Sequence, residues 1–159
     1  MKRFSASWTP DEAAAANARR VLPDMVRNYY KAGRKLDADS PARDMHGFRL
    51  LTKQLRYTLE AFVPLYGRGL EPRVDRLRPI QSALGDLNDC EVMLSEMKKQ
   101  LPDSVRAYIE KRARKKRKEF LQYWRKEFDA DGQEKKWENY LGRSPRTTPA
   151  RAKTAKTKT

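Results

Sequence analysis

Apolar residues recur along the chain at steps of three and four, which is the spacing of side chains that share one face of an α-helix. Capping and turn residues interrupt the pattern and mark its restarts. It predicts four amphipathic helices over 9 to about 36, 40–66, 71–100, and 102 to 129–132. We find no alternating run bounded by turn residues that would favour a strand. The expected fold is therefore all-α, an antiparallel four-helix bundle.

Capping residues mark the expected helix starts. Thr9 is predicted to N-cap the first helix, with Pro10 at the first helical position and Glu12 closing a capping box. Ser40–Pro41 repeats the cap-and-proline signal before the second helix. Within the third helix, Pro79 predicts a bend.

The predicted core is the apolar stripe of each helix. Its members are Ala14, Ala18, Val21, Leu22, Met25, Tyr29, Phe48, Leu51, Leu55, Leu59, Phe62, Tyr66, Val74, Leu77, Leu84, Leu87, Leu94, Val105, Ile109, Ala113, Phe120 and Trp124. A short amphipathic piece with Trp137, Tyr140 and Leu141 is expected to dock back on the bundle. The helical domain is thus expected at 9–141. The Pro, Thr, Ala and Lys composition of 142–159 predicts a disordered basic tail.

The charge balance indicates an anionic partner. The chain has 36 Lys and Arg against 21 Asp and Glu, a formal net charge of +15 and a pI of about 10.1. Six cations and no carboxylate lie in the tail, so the remainder still carries +9. The body is therefore expected to bind polyanion in its own right.

Other sequence features narrow the class of protein. A single cysteine, Cys90, excludes an internal disulfide framework and favours a reducing cytoplasm. Cys and His spacing gives no zinc pattern, and neither a signal-like segment nor an 18-residue apolar run is found. We expect a soluble cytoplasmic protein with no membrane partner, no metal and no cofactor.

One stripe of the second helix carries the candidate chemistry. His46, Arg49, Lys53, Arg56 and Tyr57 follow one another at helical spacing and form a row about 16 Å long, turned about 135° from the apolar stripe. Glu60 is the only carboxylate that joins the row. Such a row of like charges opposes folding unless an anion neutralises it, so we interpret it as a contact for polyphosphate or nucleic acid.

The motif residues resemble a known family. The string H-G-F-R-L-L-T-K-Q-L-R-Y from His46 to Tyr57, followed by L-R-P-I-Q-S-A-L-G-D-L-N-D from Leu77 to Asp89, resembles the CHAD family, the conserved histidine α-helical domain. The resemblance implies an all-helical, non-catalytic protein that binds inorganic polyphosphate through a basic cavity and in some members associates with polyphosphate granules. It places the binding residues at His46, Arg49, Lys53, Arg56 and Tyr57.

One departure from the family bears on assembly. The usual member has two four-helix repeats around a pseudo-two-fold axis, and this chain has one, most similar to the second. Symmetry suggests that two copies associate as a homodimer that rebuilds the cavity.

Further cations are secondary candidates for the same ligand. They are Arg20, Arg27 and Lys31 on the first helix, Arg73 and Arg76 on the third, and Arg112 and Lys116 on the fourth. The alternative for the first-helix set is an ordinary solvated face. For His46 the alternatives are protonation linked to polyanion binding or a neutral role within the bundle. Asp86 and Asp89 are expected to orient the motif cations.

Two other functions are weighed against polyphosphate binding. Non-specific binding of DNA or RNA is supported by the tail, and tail deletion is then expected to abolish DNA binding while leaving polyphosphate binding largely intact. An enzyme acting on phosphoanhydrides is disfavoured, because the sequence has no P-loop, no paired metal ligands and no nucleophile beside a base.

Overall fold

The structure, a computed structural model, describes residues 8–97 and 100–143. All regular secondary structure within these residues is helical, which confirms the all-α class. The elements are α1 (Ala14–Gly33), α2 (Ala42–Tyr66), α3 (Glu71–Asp75), α4 (Arg78–Glu96), α5 (Asp103–Tyr123) with a following π-helical turn (Trp124–Phe128), and α6 (Gln133–Leu141). The four long helices, α1, α2, α4 and α5, correspond to the four predicted ones. The predicted tail from residue 144 onward lies outside the described residues.

The first helix begins four residues later than predicted. Thr9 and Glu12 do not form a capping box; they close a turn in which the Glu12 amide donates to the Thr9 carbonyl at 3.1 Å. The cause is Asn17, whose buried side chain bonds the Thr9 backbone and donates to the Glu12 carbonyl at 3.0 Å. A short polar side chain thus competes with the helix for these backbone groups.

Glycine and proline set the ends of the next elements. The start of α2 is one residue later than predicted, because Pro41 and not Ser40 is the N-cap residue, and the Ser40 hydroxyl donates to Asp37. As predicted, α2 ends at Gly67, whose φ of 75° suits glycine. The predicted third helix is wrong as a single element, because it separates into α3 and α4 at Arg76 and Leu77. Pro79 accounts for the break: it cannot donate to Asp75 and lies in the first turn of α4, where no donor is needed.

The N-terminal end of α5 is less buried than its apolar pattern predicted. Ile109, Phe120 and Trp124 are buried as predicted, but Val105 is 41% exposed, so its assignment to the core is wrong. Among the described elements α5 packs mainly against α4. Its first turns, from Asp103 to Tyr108, contribute no buried residue.

Aromatic rings from distant parts of the chain form the centre of the core. Tyr29 stacks on Phe48 with 4.7 Å between ring centroids, and Trp124 packs edge-on to Phe48 at 5.3 Å. Phe128 stacks on Tyr30 at 5.2 Å. The π-helical turn that carries Trp124 and Phe128 thereby joins α5 to α1 and α2.

The last helix closes the fold. Trp137 and Leu141 are buried and Tyr140 packs against the core, which confirms the predicted docking of this segment. The Tyr66 hydroxyl donates to the Leu141 carbonyl at 2.6 Å, and that of Tyr140 donates to the Tyr66 carbonyl at 3.2 Å. The end of α6 therefore lies beside the end of α2. None of the helices in the described residues is long and apolar enough to cross a membrane.

Candidate anion-binding site

The basic row of α2 lies along one side of a helix whose other side is anchored in the core. Phe48, Leu51, Leu55 and Leu59 are buried, and the Thr52 hydroxyl among them donates to the Phe48 carbonyl at 2.9 Å. This packing fixes the rotation of α2 about its axis. The row from His46 to Tyr57, which we call the α2 stripe, consequently faces away from the core.

His46 heads the α2 stripe and is bonded to the neighbouring helix. Its Nδ1 lies 2.6 Å from the Asn88 side-chain oxygen on α4. An amide oxygen only accepts, so Nδ1 carries the hydrogen and donates. The ring is exposed, and its Nε2 is the nitrogen left to meet a ligand.

Arg49 lies against α4 at a glycine. A Cβ added at Gly85 would be 4.0 Å from the Arg49 Nε, with no nearer atom. Gly85 therefore has room for alanine and is not needed for close contact of the two helices, contrary to what a glycine there suggests. The Arg49 Nε is buried and has no hydrogen-bond partner among the described residues.

Tyr57 orders the other end of the α2 stripe. The Arg56 guanidinium lies 4.8 Å from the centre of the Tyr57 ring, and the Lys53 Nζ lies 6.0 Å from it. Arg56 also pairs with Glu60 at 3.2 Å, with a side chain only 15% exposed. Its Nε is buried without a partner among the described residues. The aromatic face and the carboxylate hold the two cations in place.

A second wall, which the sequence reasoning missed, comes from α4. His46 meets Asn88 and Arg49 meets Gly85, so the two helices run antiparallel, and on α4 Gln81 follows one turn away on the same face. The Gln81 Oε1 is buried without a partner in the described part of the chain. The signal was available in the sequence, as polar or small residues at 81, 85 and 88 between buried leucines.

The predicted α1 cations are mostly engaged inside the protein. Arg20 donates to Glu12 at 2.9 Å and to Thr9 at 3.0 Å, which holds the N-terminal turn. Arg27 bonds Glu138 at 2.9 Å, and this bond raises the arginine pKa. Lys31 is exposed. This face therefore ties α1 to the N-terminal turn and to α6, and it is neither a simple solvated face nor part of the α2 stripe.

Arg73 and Arg76 clamp the C-terminal segment. Arg73 donates to the Gly69 carbonyl at 2.7 Å and lies 3.8 Å from the centre of the Tyr140 ring. Arg76 donates to the Gln133 side chain at 2.6 Å and to the Glu127 carbonyl. The structure does not bring either side chain to the α2 stripe.

Arg112 and Lys116 face α4 from the side of α5. Lys116 pairs with Asp86 at 3.0 Å, and Arg112 lies 3.8 Å from the same carboxylate. Asp86 therefore neutralises α5 cations, and the expectation that it orients the cations of α2 is wrong. Asp86 lies on a different face of α4 from Gly85 and Asn88, which contact the α2 stripe. The two α5 cations therefore do not join that stripe.

The α2 stripe presents a row of hydrogen-bond donors with little internal neutralisation, beside the neutral polar side chains of the α4 wall. Arg49 and Lys53 form no ion pair with a carboxylate among the described residues, and Arg56 shares Glu60. Forked guanidinium donors and an ammonium suit adjacent phosphate oxygens. In the same part of the chain, no group of three His, Cys, Asp or Glu side chains is placed to hold a metal ion.

Comparison with known proteins gives one match. A model of the CHAD domain matches residues 1–98, which include α1 to α4 and with them the α2 stripe and its α4 wall. Comparisons with curated proteins and with solved structures gave no match.

Proposed function

Because the chain belongs to the CHAD family, a family associated with polyphosphate binding, we propose that it binds inorganic polyphosphate along the α2 stripe. The observation that carries the proposal is a row of cations with little internal neutralisation: Arg49 and Lys53 form no ion pair with a carboxylate among the described residues, and Arg56 shares one with Glu60. The like charges of this row repel one another, which costs folding free energy. A ligand that supplies oxygen acceptors along the row would remove that cost.

The chemistry of polyphosphate fits this row. Its repeating units offer negative charge and oxygen acceptors and have no base or apolar part. Arg49 and Arg56 each present two or more donors, and Lys53 lies between them as a point charge. Asn88 and Gln81 add neutral polar groups on the facing wall. The role is binding and not catalysis, and it would serve to recruit the chain to polyphosphate granules.

The decisive experiment compares two ligands on two protein variants. Binding of long-chain polyphosphate and of DNA is measured near physiological ionic strength, about 150 mM salt, for the chain truncated after Arg143. The variants are wild type and Arg49→Ala with Arg56→Ala. We expect wild type to prefer polyphosphate. The double variant should bind it at least about tenfold more weakly, because each charge-assisted hydrogen bond lost costs about 1.5–3 kcal/mol.

A matched variant controls for net charge. Arg114→Ala with Arg125→Ala removes the same charge from α5 and the π-helical turn, and we expect it to leave polyphosphate affinity within about twofold and the salt dependence of binding unchanged. Equal losses in the two double variants would show that polyphosphate responds to overall charge and that the α2 stripe is not its site.

A second candidate, non-specific nucleic-acid binding, is supported by the sequence of the tail, with its six cations and no carboxylate. It predicts that DNA affinity falls steeply on truncation after Arg143. If instead the truncated chain binds DNA with the same affinity as polyphosphate, the α2 stripe is a general polyanion surface.

We also propose that the chain pairs with a second copy through the face that carries the α2 stripe. Leu50 and Tyr57, large side chains 40% and 49% exposed, flank the cations there. Such pairing would set two stripes around one ligand. A monodisperse monomer at micromolar concentration, with undiminished polyphosphate affinity, would contradict it.

A further inference from the structure

A cation-lined groove lies on α5, on a different face from the α2 stripe. Its cavity measures about 580 Å³ and runs beside the loop that links α1 to α2. The residues lining it are Ala38, Arg114, Arg117, Lys118, Leu121, Gln122, Arg125 and Lys126, and none of them is acidic. At 1.5 Å per helical residue, the lining from Arg114 to Lys126 extends about 18 Å.

The cations of the groove are largely free to meet a partner. Lys118, Arg125 and Lys126 are exposed and form no ion pair with a carboxylate within the described residues. Arg114 has only a distant contact with Glu110, at 3.9 Å, and is 71% exposed. Four of the five cations that line the cavity therefore have little internal neutralisation, and the fifth, Arg117, pairs with Glu91.

The wall opposite α5 is held rigidly. Arg117 donates to the Ala38 carbonyl at 2.9 Å and pairs with Glu91 at 3.1 Å. Within the loop, the Ser40 hydroxyl donates to Asp37 at 2.9 Å. This bond is the main reason that the pKa of Asp37 is lowered, and Arg125 contributes. Since its walls are fixed, the groove exists before any ligand arrives.

The floor of the groove is apolar. Leu121, a residue 6% exposed, lies between the cations, and Ala38 borders the groove. At one end, the π-helical turn places Arg125 and Lys126 at the rim. Such turns are rare and are often found at functional sites. Polyphosphate has no apolar part that could contact this floor. The groove therefore fits a ligand that has an apolar part as well as negative charge.

Shape and charge select the class of ligand. Small-molecule sites bury most of their ligand, whereas the rim here is exposed and the groove is open along its length. An elongated partner that combines carboxylates with an apolar side chain satisfies both the rim and the floor, as in the docking of an amphipathic helix in a groove. Three turns of helix match the 18 Å length.

We propose that this groove is a docking site for an acidic amphipathic helix of a partner protein. Its carboxylates pair with Arg114, Lys118, Arg125 and Lys126, and one apolar side chain rests on Leu121. The partner is thus recognised on a surface separate from the α2 stripe, so that the chain can join a protein to a polyanion.

The test uses the full chain and a synthetic probe. The probe is a fluorescent helical peptide of about 12 residues with glutamates around one leucine. Its affinity is measured at about 150 mM salt. We expect Lys118→Glu with Arg125→Glu to weaken binding by about tenfold or more relative to Lys111→Glu with Lys136→Glu, which makes the same charge change at exposed sites off the groove.

Two further comparisons make the outcome decisive. Replacing the leucine of the peptide by serine should weaken binding to wild type several-fold, while polyphosphate affinity should change equally in both charge-reversed variants. Equal peptide losses in the two variants, or no effect of the serine, would overturn the proposal. A selective loss of polyphosphate binding in the groove variant would also overturn it, because the groove would then belong to the polyanion surface. Matching thermal unfolding midpoints establish that both variants are folded.

Discussion

At the scale of single residues, one hydrogen bond decides how His46 meets an anion. Asn88 accepts from Nδ1 at 2.6 Å, so in the neutral ring Nε2 carries a lone pair. A lone pair repels phosphate oxygens. Once Nε2 gains a proton it becomes a charged donor at the head of the α2 stripe.

We therefore predict that polyphosphate binding to wild type strengthens as the pH is lowered from 8 to 6. A bound anion favours the protonated ring over the neutral one, because the lone pair of the neutral ring repels it, so proton uptake accompanies binding. Titration of polyphosphate at both values measures the change, with His46→Ala as the control. An identical pH dependence in the two proteins would show that the ring keeps a neutral role within the bundle.

At the scale of elements, two helical glycines have opposite relations to their surroundings. A Cβ added at Gly33, the last residue of α1, would lie 2.2 Å from the Trp124 ring. A Cβ added at Gly85 in α4 meets nothing closer than 4.0 Å. Packing therefore requires a glycine at position 33. At position 85 the packing has room for a side chain, so a glycine is not required there.

Alanine at the two positions should therefore change stability in opposite directions. We expect Gly33→Ala to lower the free energy of unfolding by about 1–3 kcal/mol, because the Trp124 ring must shift in a packed core. Gly85→Ala should raise it by about 0.5–1 kcal/mol, because alanine restricts the unfolded chain. Urea unfolding of both variants measures the difference. A loss of stability in both would mean that Gly85 also serves a close contact.

Some of these elements could be predicted from the sequence, and others depend on contacts between distant parts of the chain. The α2 stripe follows from spacing within one helix, and α2 itself was predicted to within two residues. The π-helical turn was not predictable, because it depends on Trp124 and Phe128 both reaching rings on α1. The hydrogen-bond partners of Arg27 and Arg76 were not predictable either. Arg27 bonds a residue 111 positions away, and Arg76 bonds one 57 positions away.

At the scale of the whole molecule, buried phenols make the fold sensitive to alkali. Burial raises the pKa of Tyr66 to about 12, and it also raises the pKa of Tyr29, Tyr30 and Tyr123. In the unfolded chain a tyrosine ionises near pH 10. Above that pH the unfolded state binds fewer protons than the folded state, so stability falls as the pH rises.

We predict that the contribution of these tyrosines to the free energy of unfolding is constant below pH 10 and decreases between pH 10 and 12. Tyr66→Phe removes one of the groups responsible, so its stability should fall less steeply over that interval, although it loses the bond to the Leu141 carbonyl. Denaturant unfolding at several pH values gives the slopes. A Tyr66→Phe slope equal to that of wild type would contradict the explanation.

The clamp between α6 and α2 also has a consequence for avidity. Because Leu141 is bonded to Tyr66, the basic C-terminal sequence departs from the end of α2, about 15 Å along its axis from Arg56. Those cations are tethered to the α2 stripe, and their effective concentration near a bound polyanion is set by the tether and not by the bulk solution. A polyanion no longer than the α2 stripe offers few charges beyond those that the stripe already neutralises. One that overhangs Arg56 engages both sets of charges, so affinity should increase with polymer length more steeply for the full chain than for the truncated one.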